Sequence, residues 1–259
     1  YKIIDEAHLA HGKPISLFFR DDDVAPITTN LVELIDVFID YRVPVHLQII
    51  PQKLTRPASQ YLKDLKRSYP NVIILSQHGW SHANHNPAGR KHEFGDARPY
   101  ECQLLDVIAG KALMTRIFLN DFFLAFTPPW NRYNDDLLRV LKELEFSVIS
   151  ADGGKIGPAG SGLVEISTAV DLHHRRPNPV MKDPSHLLFE LRLSLQQNDT
   201  VGLLLHHDEM QAEDLDFLAT FLATLKEHRH VEFPDFRELL NRVRNRVVTA
   251  GEEPTEGTA

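Results

Sequence analysis

Residues 15–26 read Ile-Ser-Leu-Phe-Phe-Arg-Asp-Asp-Asp-Val-Ala-Pro, an apolar run that ends on an arginine and three consecutive aspartates. Residues 15–20 are short and bulky enough for a buried strand. Three adjacent carboxylates repel one another unless a cation or hydrogen-bond donors compensate. The plain alternative is a solvated turn in which an aspartate caps a helix beginning near Asn30.

Outward from this run the chain repeats one theme. Strands are expected at residues 15–20, 43–50, 72–77, 122–126, 147–150, 163–166 and 201–205. Helical faces alternate with them: Leu31, Leu34, Ile35 and Phe38; Leu215, Leu218, Leu222 and Leu225; Phe236, Leu239, Leu240 and Val243. Such alternation predicts parallel strands with crossover helices, as an open sheet or a barrel in the α/β class. One domain is expected over residues 1–248, followed by a disordered polar tail at 249–259.

The 259 residues are 42% apolar and 25% charged, enough for a large core. The formal net charge of −8 argues against a nucleic-acid surface. No apolar run reaches the ~18 residues of a membrane span, and no secretory signal is apparent. Cys102 stands alone, which excludes an internal disulfide and fits a reducing, cytoplasmic setting. Oligomeric state is not legible.

In barrels and open parallel sheets alike, ligands bind beyond the carboxyl ends of the strands. After the 72–77 strand comes His78-Gly79-Trp80-Ser81-His82-Ala83-Asn84-His85. His-x-x-x-His sets two imidazoles on one face of a helical turn, a spacing suited to one divalent ion. Two histidines plus one carboxylate leave open positions for water and substrate. His85 reads as an exposed loop histidine, with a reserve ligand or substrate contact as the alternative. Residues 126–131 (Phe-Thr-Pro-Pro-Trp-Asn) stiffen the chain around Trp130, which serves as a sugar platform or as core. Asp152 follows the 147–150 strand, and His206-His207-Asp208 follow the 201–205 strand, where a histidine suits general acid chemistry.

In this order, over residues 15–208, these segments resemble the polysaccharide deacetylase family, the NodB-homology or carbohydrate esterase 4 group. The most specific match is His78-Gly79-Trp80-Ser81-His82, similar to the family's His-Thr-Trp-Ser-His metal segment. The aspartates resemble the family's Thr-Phe-Asp-Asp-Gly, in which the first Asp is the base and the second a metal ligand. Set just before Val24, the pair is Asp22 and Asp23; set one residue earlier, it is Asp21 and Asp22. Phe126-Thr127-Pro128-Pro129-Trp130 matches Phe-Arg-Pro-Pro followed by an aromatic. Leu204-Leu205-His206 matches the final Leu-x-His, with His207 as the alternative acid. Two positions depart: Thr127 replaces the arginine that tethers the base, and Val24 replaces the glycine after the Asp pair. Arg20 or Arg98 would have to substitute for that arginine.

The resemblance implies a distorted (β/α)7 barrel of the NodB-like kind. It implies a divalent metal, zinc first with cobalt or nickel as alternatives, on Asp23, His78 and His82. Asp22 would be the base and His206, oriented by Asp152, the acid. Trp130, Pro129, Asn131 and His207 would meet the substrate. The implied activity is hydrolytic removal of acetyl from an N-acetylated sugar, in a polysaccharide or its biosynthetic precursor. The alternatives are an inactive carbohydrate-binding relative and a metal-dependent hydrolase of another amide or ester.

Overall fold

The computed structural model describes residues 1–160, 162–174 and 180–251. Its helices are α1 (Lys2–His11), α2 (Thr29–Tyr41), α3 (Arg56–Ser68), α4 (Tyr100–Phe118), α5 (Asp135–Glu143), α6 (Pro184–Gln197), α7 (Ala212–Lys226) and α8 (Phe236–Gly251). Its strands are β1 (Ile15–Val24), β2 (Val45–Ile49), β3 (Ile73–His78), β4 (Phe122–Thr127), β5 (Val148–Ile149), β6 (Ile156–Gly160), β7 (Leu163–Ile166), β8 (Val170–Asp171), β9 (His173–His174), β10 (Val180–Met181), β11 (Thr200–Leu205) and β12 (Val231–Glu232). The main sheet runs β6-β7-β5-β4-β3-β2-β1-β11-β8, with β12 added to β1.

All seven expected strands are present and mutually parallel, as β1, β2, β3, β4, β5, β7 and β11. The sheet curls into a half-barrel, the NodB-like form of the expected α/β fold, left open between β6 and β8. β6 runs antiparallel on β7 at the sheet edge, where its Pro158 needs no ladder partner on the outer side. Its sequence, Ile-Gly-Pro-Ala-Gly, has the composition of a turn, so no strand is expected there from residue type alone.

Two apolar layers hold the sheet. Leu17 and Phe19 of β1 join the large cluster with Leu31, Leu34 and Phe38 of α2 and Leu218 and Leu222 of α7. The alternate residue Phe18 points the other way, into a second cluster with Ala125, Val148, Val164, Ile166 and Phe236, Leu239, Leu240 and Val243 of α8. A Cβ on Gly202 would lie 2.2 Å from the Phe18 ring, so only glycine lets β11 pass beside it. The helix α8 continues through Gly251, past the expected boundary at 248; the remainder of the expected tail lies outside the described residues.

β1 itself departs from expectation. The aspartates do not follow the strand but belong to it, because β2 and β11 pair with it on both sides. Thr28, not an aspartate, caps α2 by accepting from the Leu31 amide.

His46 on β2 is matched at both ring nitrogens. It is fully buried, its Nδ1 lies 2.7 Å from the Phe19 carbonyl, and its Nε2 accepts from the Phe236 amide at 2.9 Å. The Nε2 lone pair is thus in use, and protonation would break the join to α8. Burial pushes the His46 pKa down from 6.5 to about 4. A folded pKa below the unfolded one means stability present above pH 6.5 and lost as pH falls toward 4. The full effect is roughly 3 kcal/mol. His46→Gln should therefore be less stable at pH 7 yet lose less between pH 6.5 and 4, as read by urea unfolding; equal slopes for the two proteins would refute this.

Candidate metal centre and active site

β3 ends on His78, paired in register with Thr127 at the end of β4. His78 Nδ1 lies 3.0 Å from the Thr127 carbonyl oxygen, so that nitrogen carries the proton and Nε2 presents a lone pair. Nε2 faces Asp23 Oδ1 at 3.3 Å, and His82 Nε2 faces the same oxygen at 3.1 Å. Asp23, His78 and His82 can each offer one ligand atom within 4.8 Å of the others. His78 is almost wholly enclosed, whereas the Asp23 and His82 side chains are 33% and 17% exposed, so the trio opens to solvent on one side.

Backbone strain produces this convergence. Strict alternation along β1 would leave Asp23 on the side of Asp21. A register shift between Asp21 and Val24, with Asp23 at φ 68°, breaks the alternation and brings its carboxylate to the histidines. His82 (φ 54°), Trp130 (φ 57°) and Asn131 (φ 56°) are also left-handed, and such conformations gather where a site over-determines them. The two histidines do not share the helical turn that their spacing led one to expect. His78 is the last residue of a strand and His82 lies in irregular chain.

What holds that chain is Glu93, which sequence reasoning missed. Its fully buried carboxylate accepts from the Ser81 amide and hydroxyl, both at 2.7 Å, and from the Trp80 amide at 3.3 Å. Gly79 (φ 56°) lies so close that a Cβ there would sit 2.1 Å from Glu93 Oε2 and 2.6 Å from Pro129 Cγ. No residue pattern announces a lone glutamate eleven positions beyond His82.

The electrostatics agree with a cation-binding role. Burial by itself would raise the Asp23 pKa, but His78 and His82 outweigh it and hold the carboxyl well below its ordinary range. Burial lowers the pKa of His78, and the neighbouring Asp22 and Asp23 more than restore it. His82 is lowered by burial and by His78. Asp23 Oδ1 is buried with no hydrogen-bond donor, opposite two imidazole nitrogens. Acceptor facing acceptor at this distance calls for a proton or a metal ion between them. A donor set of one carboxylate and two imidazoles fits a divalent ion with open positions.

Beside it, Asp22 shares the inner face of β1 with Arg20, two residues earlier. Arg20 is fully buried; its Nη2 donates to Asp22 Oδ2 at 3.0 Å and its Nε lies 2.9 Å from Oδ1. The Nε approach lacks hydrogen-bond alignment, which leaves Oδ1 free to accept a proton. Ser150, the Ala151 carbonyl and Asn131 take the other guanidinium hydrogens, at 2.9, 2.8 and 2.6 Å. Arg20 thus sets a buried cation against Asp22, while the Thr127 hydroxyl donates to Gln48. Arg98 pairs with Asp106 elsewhere.

Asp152 is exposed, in the turn that follows β5. His207 has a carboxylate partner in Asp21: its Nδ1 lies 2.7 Å from Asp21 Oδ2, while its amide donates to Oδ1. Burial works against the imidazolium, but Asp21 outweighs it and holds His207 up to about 9. Both side chains are fully enclosed, so His207 is not positioned to touch substrate. His206 is buried. Pro129 is buried against Gly79, and Asn131, partly exposed, gives its side-chain oxygen to Arg20. Trp130 is half-buried, its ring 4.4 Å from that of His82, with Lys91 Nζ 5.7 Å from the indole centre.

No protein-family profile matches the sequence, and no curated protein does. Solved structures do. A putative polysaccharide deacetylase from Mycobacterium smegmatis superposes with a TM-score of 0.71 at 14% identity, covering 96% of this chain and 95% of that one. The chain has the fold of the polysaccharide deacetylases. A family 4 acetyl xylan esterase from Clostridium thermocellum, in complex with a cobalt ion, matches at TM-score 0.54 and 16% identity over 88% and 91% of the two chains. A mutant of a carbohydrate esterase 4 pseudoenzyme matches at 0.56 and 14% over 88% and 67%. The polysaccharide deacetylase fold therefore carries both active and inactive sites, and at these identities the likeness speaks for the fold alone.

Proposed function

We propose that this chain is a metal-dependent hydrolase that removes an acetyl group from an acetylated amino sugar. The observation that carries the reading is the donorless Asp23 Oδ1, faced by two imidazole nitrogens, next to Asp22 held by a buried arginine. Asp23, His78 and His82 would hold the ion. A divalent ion there, zinc first, supplies Lewis acidity to water and to an acetyl carbonyl. Asp22 Oδ1 removes a proton as water adds to the carbonyl carbon. His206 delivers a proton to the amide nitrogen as the C–N bond breaks, releasing acetate and a free amine. Of the two neighbouring histidines, His206 takes this role because His207 is enclosed with Asp21. Trp130 offers the half-buried aromatic face on which a sugar ring packs.

The test is acetate release from a panel of N-acetylated sugars by apo protein and by protein reloaded with zinc, cobalt or nickel. Metal-dependent release, abolished with metal binding by His82→Ala, is expected. Stoichiometric metal at Asp23, His78 and His82 with no release from any acetylated sugar would favour the pseudoenzyme reading, for which the carbohydrate esterase 4 relative is the precedent.

A further inference from the structure

A second cluster of metal-type ligands stands apart from the first. His85, Glu93 and Asp106 can each place one ligand atom within 4.8 Å of the others. His85 and Glu93 sit on one loop between β3 and α4, and Asp106 comes from α4. The His85 amide donates to the His92 carbonyl at 2.8 Å, and Asn84 Oδ1 accepts from the His92 amide at 3.0 Å, folding the loop back so that His85 meets Glu93. Glu93 is anchored by Ser81 and Trp80. Asp106 projects from α4, where Arg98 donates to its Oδ2 and leaves Oδ1 unspent. Gln103, one turn earlier on α4, secures the intervening segment by donating to the Gly95 and Arg98 carbonyls.

The charge balance points to a cation. Glu93 is a fully buried carboxylate whose hydrogen-bond donors are all neutral, and no lysine, arginine or histidine lies in ion-pair range of it among the described residues. Asp106 has one cation, Arg98, so the group of two carboxylates keeps a net negative charge. Among the described residues the exposed His85 ring has no hydrogen-bond partner. Imidazole with two carboxylates is a donor set suited to zinc or cobalt.

We infer that His85, Glu93 and Asp106 form a second divalent-cation site that ties the His82-bearing loop to α4. An ion there neutralises the carboxylate that clamps Ser81, so occupancy at this site stiffens the loop that carries His82. The site does not depend on the proposed deacetylation.

Cobalt titration of the full apo chain, by calorimetry with elemental analysis after gel filtration, tests it. Two ions per chain are expected in the wild type, one in His85→Ala, one in His82→Ala and none in the double variant. Asp106→Asn, which keeps the size of the side chain, should also bind one. Because His85 is exposed, its replacement leaves the fold intact, and circular dichroism checks this. A wild type that binds one ion, lost in His82→Ala and kept in His85→Ala, overturns the second site, as does His85→Ala still binding two. One ion that survives His82→Ala and vanishes in His85→Ala would sustain this site and count against the first.

Discussion

Arg20→Met is expected to lower the unfolding free energy by about 3–5 kcal/mol and to abolish acetate release, although residue 20 would touch neither metal nor sugar. The cost arises because removing one member of a buried ion pair leaves the other charged in a medium that cannot solvate it. Asp22 is 4% exposed as a side chain and Arg20 not at all. Arg20 also satisfies Ser150, Asn131 and the Ala151 carbonyl, which all lose their donor together. Denaturant unfolding reads the loss. The double variant Arg20→Met/Asp22→Leu should regain much of the stability but none of the activity, since the uncompensated charge is gone while the proposed base is gone with it. An Arg20→Met protein as stable as the wild type would show that Arg20 is not the tether.

The second large effect separates the two registers of the aspartate run. Asp22→Asn is expected to keep the metal and lose turnover by roughly 10²–10⁴-fold, the range of a general base. Asp21→Asn is expected to keep the metal as well but to act through stability. It removes the carboxylate that accepts from both the His207 ring and its amide, so the His207 pKa drops from about 9 and the β1–β11 junction weakens. Metal content by elemental analysis, kcat and denaturation midpoint give three separable readouts. Loss of metal in Asp22→Asn would transfer the ligand role to Asp22 and the base role to Asp21, and with it would go the mechanism proposed above.

The contrast between these neighbours explains what was readable beforehand. The strand positions were legible because each buried strand is a short apolar run bounded by polar or turn residues, and parallel pairing tolerates that signal with little ambiguity. The histidine pair was legible because its chemistry is local, four residues apart after a strand. The helical turn expected between them was wrong, since Glu93 and a left-handed Gly79 impose a different path. Asp152 looked like the partner of an acid histidine by its place after β5. What the order along the chain did not announce is that Asp21 meets His207, because β11 lies directly beside β1 and its end brings His207 onto that residue.

Residue type and order along the chain therefore determined the class of sheet, the strand ends that matter and the ligand-type side chains gathered there. Only the tertiary structure decided how three identical aspartates are used. On a strand their side chains alternate: Asp22 turns inward to Arg20, Asp21 outward to His207, and a bulge with a positive φ takes Asp23 to His78 and His82. Identical side chains carry no information about which partner each will meet. That information lies in the pleat, the bulge and the neighbouring strands, which exist only once the sheet has formed.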